Sequence, residues 1–284
     1  MSACLLMCSV ACGSPSLSLD VPDYEIVTKP LSHLQGNPIW VDIVGATTTS
    51  EVLKSTFKGR SIGTFVYANK VSMLLPADLR EAPGDYSLDV TFANGKQIKK
   101  TISIESRVKE EKKFYIPETL GGNTKTSQDK LVQTLADEAS TLLNLKTSKT
   151  PWWSTSFRYP LEKIKIVDPY GYIRKTGEYN LAHKGTDFDA DMGTKVFAMN
   201  TGVVRIVRDY RNYGKTVVID HGQNILTIYM HLSETRVNVG ELVKKGHVIA
   251  LTGSTGYSFG PHLHLTVRIN DISIDPIEFL NLFK

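Results

Sequence analysis

Across residues 23–105, polar and apolar positions alternate in short runs separated by turn residues. Residues 87–92 (SLDVTF) and 100–104 (KTISI) keep the period of two expected of strands with one buried face. Asn94-Gly95 between them is a strong hairpin signal, and Ala82-Pro83-Gly84-Asp85 marks the turn before. Apolar-rich runs at 41–44 and 71–75 supply two further strands. Short strands at this spacing predict a small β-sandwich, immunoglobulin-like in plan. His33 is the only histidine in this part, and it reads as a surface or packed residue rather than a ligand.

The period then changes. Leu131, Val132, Leu135, Ala136, Ala139, Leu142 and Leu143 recur at helical spacing and predict one amphipathic helix of about five turns. The charge run at 107–113 reads as a solvated linker, and the whole of 106–150 as a connector without chemistry of its own. Pro151-Trp152-Trp153 opens a last segment of strands and glycine turns with almost no helix signal. Apolar runs at 216–219 and 225–229 flank a hairpin turn, and Gly240 and Gly246 mark two more tight turns. The prediction is a mainly β protein: a sandwich over 23–105, a linker with a helix over 106–150, and an antiparallel β domain over 151–284. The tryptophans at 152 and 153 are expected in packing rather than as sugar platforms.

With 41% apolar and 22% charged residues in 284, the chain has the profile of a globular protein with ample core. A net charge of +4 is too small and too dispersed to indicate nucleic-acid binding. Cys4, Cys8 and Cys12 are the only cysteines, so beyond residue 12 a metal site must use His, Asp or Glu. Residues 1–12 form an apolar run resembling the core of a secretory signal, and residues 1–22 read as leader and linker. Ser9-Val10-Ala11-Cys12 loosely resembles a lipoprotein box. The expectation is export to the periplasm or cell envelope, with Cys12 as a candidate lipid anchor. No other stretch is long and apolar enough for a helical membrane span.

Six of the seven histidines fall in the last domain, and four of them belong to three motifs: His183-Lys184-Gly185-Thr186-Asp187, Tyr229-Met230-His231-Leu232-Ser233 and Gly260-Pro261-His262-Leu263-His264-Leu265. In the third, Leu263, Leu265 and Val267 alternate with His262, His264 and Thr266, so both imidazoles share one face of a strand. Either both bind one metal, or one binds it while the other reaches the reacting water. The first motif adds an imidazole and a carboxylate, with Gly185 expected to let the chain bend. A set of two histidines and one aspartate leaves a fourth position open, the pattern of a catalytic zinc.

Taken in order, these motifs closely resemble the M23 (lysostaphin- and LytM-like) metallopeptidases. Further matching text is Gly193-Thr194-Lys195-Val196, Gly202-Val203-Val204, Val239-Gly240, Val243-Lys244-Lys245-Gly246, Gly253-Ser254-Thr255-Gly256 and Asp275-Pro276, covering about 170 to 277. The resemblance implies Zn2+ on His183, Asp187 and His264, with His231 and His262 as catalytic histidines. It implies an exported endopeptidase acting on peptidoglycan stem peptides. A catalytically idle regulator of another wall hydrolase is the alternative, disfavoured by the complete set of five positions. Arg174, Tyr179, Asn180 and Tyr257 are candidates for lining a substrate groove. His221 and His247 align with no ligand of the family, and Asp189 and Asp191 read as surface turn residues. The hairpins around Gly240 and Gly246 also resemble biotinyl or lipoyl carriers, but no isolated lysine stands at a hairpin tip.

Overall fold

The computed structural model describes residues 23–284 except 31, 119, 120 and 144. The leader, its three cysteines and the candidate anchor at Cys12 lie outside the described residues. Among those residues no helix is long and apolar enough to cross a membrane.

The alternating residues of 23–105 build two facing sheets. One orders the strands Glu25–Lys29, Pro38–Val44, Lys70–Pro76 and Thr64–Tyr67. The other orders His33–Leu34, Gln97–Glu105, Gly84–Phe92, Val52–Phe57 and Arg60–Ser61. Ile39, Val41 and Ile43 from the first sheet pack with Leu88, Val90, Phe92 and Ile102 from the second. Gly95 takes φ +85° in the turn between the two long strands, a backbone conformation that side chains with a Cβ avoid. His33 is buried in this module.

Most of the charge run at 107–113 is exposed, as expected of a solvated linker, but the linker also makes defined contacts. Arg107 donates from Nη1 to Asp275 Oδ2 at 3.1 Å and from Nε to Gln35 O at 2.8 Å, tying the sandwich to the C-terminal domain. Glu111–Lys113 pairs in parallel with Ile173–Thr176. The helix α1 spans Lys125–Thr141 and is capped by Thr124, whose hydroxyl accepts from Ser127 N. It therefore starts before the apolar repeat, where the cap rather than the hydrophobic pattern sets the boundary. Its own Glu138 is buried and accepts from the backbone amides of Asn212 (2.9 Å) and Tyr213 (3.2 Å).

The last domain is a ten-stranded sheet with the central order Thr186–Asp189, His262–Ile269, Ile225–Thr235, Gly214–Asp220 and Gly202–Tyr210. The predicted hairpin closes through Gln223 and Asn224, both at positive φ. Trp153 packs against Phe65, Tyr67, Phe157 and Phe283, joining sandwich and sheet through one aromatic cluster. Trp152 remains 41% exposed. A short helix that the strand-and-turn reading omits, α2 (Pro276–Asn281), follows Asp275. The Asp275 carboxylate accepts from Ile277 N at 2.9 Å, and Pro276 sits where a helix tolerates it.

Candidate metal centre

Two neighbouring strands bring the predicted ligands together. Thr186–Asp189 pairs antiparallel with His262–Ile269, in a register that sets Asp187 opposite His264 and Asp189 opposite His262. His183 precedes the first strand and folds back over it. Its Nε2 lies 3.2 Å from Asp187 Oδ1 and 3.2 Å from His264 Nδ1, and Asp187 Oδ1 lies 2.6 Å from His264 Nδ1. Three ligand atoms thus converge in a compact triangle, and all three side chains are buried or nearly so.

The outer contacts decide which ring nitrogen faces inward. Pro169 O accepts from His183 Nδ1 at 2.8 Å, which leaves Nε2 with its lone pair towards the triangle. Thr266 Oγ1 donates to Lys184 O at 3.2 Å. Its hydroxyl must therefore accept from His264 Nε2, 3.0 Å away, and His264 Nδ1 presents its lone pair. Burial first, then Asp187, governs the His264 ring, whose pKa is lowered to about 4. Burial alone would raise the Asp187 carboxyl, but the His264 and His183 imidazoles hold it well below the carboxylate range. Two imidazole nitrogens beside a carboxylate oxygen are the donor set a divalent cation takes, so these residues fit a metal.

His231 and His262 stand beside the triangle, with ring centroids 4.8 Å apart. Thr255 O accepts from His231 Nδ1 and Gly260 O from His262 Nδ1, each at 2.8 Å, so both rings turn Nε2 inward. His262 Nε2 is 4.0 Å from Asp187 Oδ1. Burial and the neighbouring His262 lower the His231 pKa to about 3. His231 also holds φ at +60°, an unusual conformation for a residue with a Cβ. The strand is deformed where it aims this ring, a feature its sequence does not announce.

Of the four candidate groove residues, three lie at the site. Arg174 donates from Nη2 to Asp187 Oδ2 at 2.8 Å, occupying the carboxylate oxygen that the histidines do not use. Asn180 and Tyr257 line the cavities beside the site. Tyr179 points elsewhere, donating to Asp129 of α1 at 2.6 Å. Asp189 pairs with Lys165 at the surface. His221 is a core residue held by Thr201 O and Thr227 Oγ1, each 2.8 Å away.

Two cavities, of about 410 and 520 Å3, adjoin the triangle and share His231, Arg174, Tyr257 and Phe114. Phe114 stacks on Tyr257 with centroids 5.3 Å apart. The linker therefore crosses the site, and Leu131, Leu135 and Ala139 of α1 form one wall of the smaller cavity.

Residues 181–276 match the model of peptidase family M23. That stretch, about a third of the chain, carries the likeness to the family. An uncharacterised metalloprotease of Haemophilus influenzae is 40% identical over 125 residues, 42% of this chain and 26% of that protein. Peptidoglycan DD-endopeptidase ShyB of Vibrio cholerae is 37% identical over 126 residues, 43% of this chain and 29% of the relative. Alignment with these curated relatives thus spans less than a third of their length. A solved Pseudomonas aeruginosa structure whose name carries the M23 family shares the fold, with a TM-score of 0.65 and 23% identity over 88% of this chain and 96% of that one. The matched stretch contains all five motif positions.

Proposed function

We propose that this protein is an M23 peptidase, an exported zinc metallo-endopeptidase that hydrolyses peptide cross-links of bacterial peptidoglycan. The observation that carries the chemistry is the convergence of His183 Nε2, Asp187 Oδ1 and His264 Nδ1, each with its lone pair directed inward by an outer contact. Zinc held there would leave one position open, polarise the scissile carbonyl and bring the pKa of water towards neutrality.

The remaining work falls to this chain's own groups. His262 and His231 present Nε2 to the reacting centre, one placed to take the proton of the attacking water and return it to the leaving amine. The other, once protonated, steadies the negative charge that develops on the carbonyl oxygen. Arg174 fixes the Asp187 carboxylate through Oδ2, so that Oδ1 keeps its aim.

The substrate class is supported by the name of the Vibrio cholerae relative and by its sequence likeness across the peptidase domain. Peptidoglycan lies outside the cytoplasm, so this reading requires export, and the apolar run ending at Cys12 is the candidate signal. An idle regulator would not need five converging groups. The test combines metal analysis with mass spectrometry of muropeptides released from purified sacculi. One zinc per chain and cleaved cross-links are expected; intact cross-links in the presence of fully zinc-loaded protein would refute the proposal.

A further inference from the structure

The strand that carries His262 and His264 continues its alternation to Thr266 and Arg268, so all four side chains belong to one face. Arg268 is only 7% exposed. Its Nη1 donates to Leu142 O at 2.8 Å, but its buried Nε has no partner among the described residues. Asp271 is the carboxylate whose charge acts on it.

Arg268 lines the same cavity as His183, His231 and His264, and Lys184 and Arg80 stand at its rim with exposed side chains. No carboxylate lines this cavity among the described residues. Arg80 has Asp78 beside it, 3.4 Å from its Nε. A guanidinium with an idle buried N–H, backed by further cations, is suited to an anion, and a carboxylate matches its geometry. An arginine serving only to cap the C-terminal end of α1 would need no place in the lining of this cavity.

We propose that Arg268, Lys184 and Arg80 form a subsite for a free carboxylate of the peptide substrate, at the end of the cavity away from the metal triangle. The inference rests on the peptidase reading above. Four residues of strand separate Arg268 from His264, about 13 Å at strand rise. That distance is spanned by about four residues of extended peptide. Stem peptides with lysine at the third position carry two suitable carboxylates, one at the C-terminus and one on the γ-linked glutamate. The apolar wall from α1 suits the aliphatic stretch between.

Titration calorimetry on the zinc-loaded protein tests this with three forms of the tetrapeptide L-Ala-γ-D-Glu-L-Lys-D-Ala: unmodified, amidated at the C-terminus, and amidated at the glutamate carboxyl. One amidation is expected to weaken binding at least about ten-fold, and which one identifies the carboxylate. In Arg268→Met, and in the double variant Arg80→Gln with Lys184→Gln, that preference should fall below two-fold. The double variant alters exposed side chains, so it carries the test if Arg268→Met does not fold. Binding of all three peptides within a factor of two, or an undiminished preference in the double variant, would overturn the subsite. Binding needs no turnover, so uncut sacculi would count against the peptidase reading alone.

Discussion

Asp187 and His264 face each other across an antiparallel strand pair, with Asp187 Oδ1 2.6 Å from His264 Nδ1. The register alone creates half of the candidate metal centre, because directly opposed residues on one sheet face hold their side chains within contact distance. Asp187→Asn keeps the shape of the side chain and removes its charge. Metal per chain is expected to fall from one towards zero, and hydrolysis to fall by more than about a hundred-fold, the upper end of what losing an outer contact costs. His264→Ala should behave alike. Elemental analysis after dialysis, with a muropeptide assay, measures both; a variant that retains stoichiometric zinc would refute the ligand assignment.

Thr266 determines which nitrogen of His264 faces inward, because its own proton goes to Lys184 O. Thr266→Val preserves the shape and deletes the acceptor. Metal affinity should weaken about ten- to a hundred-fold, as for other outer contacts of metal-binding histidines. Saturating zinc should restore the stoichiometry. Competition with a chelating dye reads the affinity, and an unchanged value would show that the tautomer is set elsewhere.

Gly185 lies at the expected bend and also provides room. It is not among the glycines at positive φ. A Cβ there would strike the His264 ring and lie 2.5 Å from Leu265 O. Gly185→Ala should displace His264 and reduce both metal affinity and activity, while the fold, judged by circular dichroism, persists. Wild-type metal affinity in this variant would mean the ring yields without cost.

The legibility of this site in the sequence follows the locality of its causes. His262 and His264 share a face because strands alternate, which needs no knowledge of the fold. Arg268 is the same rule carried four residues further, yet an isolated arginine suggests nothing until a cavity is seen beside it. The His231 backbone conformation, the Phe114 stack on Tyr257 and the wall formed by α1 are tertiary facts. Leu131 and its neighbours signal only that one helix face is apolar, not that part of that face borders the metal centre. Tyr179 shows the converse: a polar aromatic in the expected stretch instead meets Asp129 on α1.

His221 makes a prediction independent of the metal centre. Its ring is fully buried between Thr201 O and Thr227 Oγ1, and burial lowers its pKa from 6.5 to about 4. Between these values the unfolded chain binds more protons than the folded one, so stability rises with pH across the interval. The contribution is complete above about pH 6.5 and is lost as pH falls towards 4. The interval corresponds to about 3 kcal/mol. Urea unfolding of the wild type and of His221→Gln at pH 7 and pH 4.5 isolates it, since every other titrating group is common to both. The variant should be destabilised relative to wild type at pH 7 and lose most of that deficit at pH 4.5. An equal deficit at both values would mean that His221 is protonated in the core without penalty.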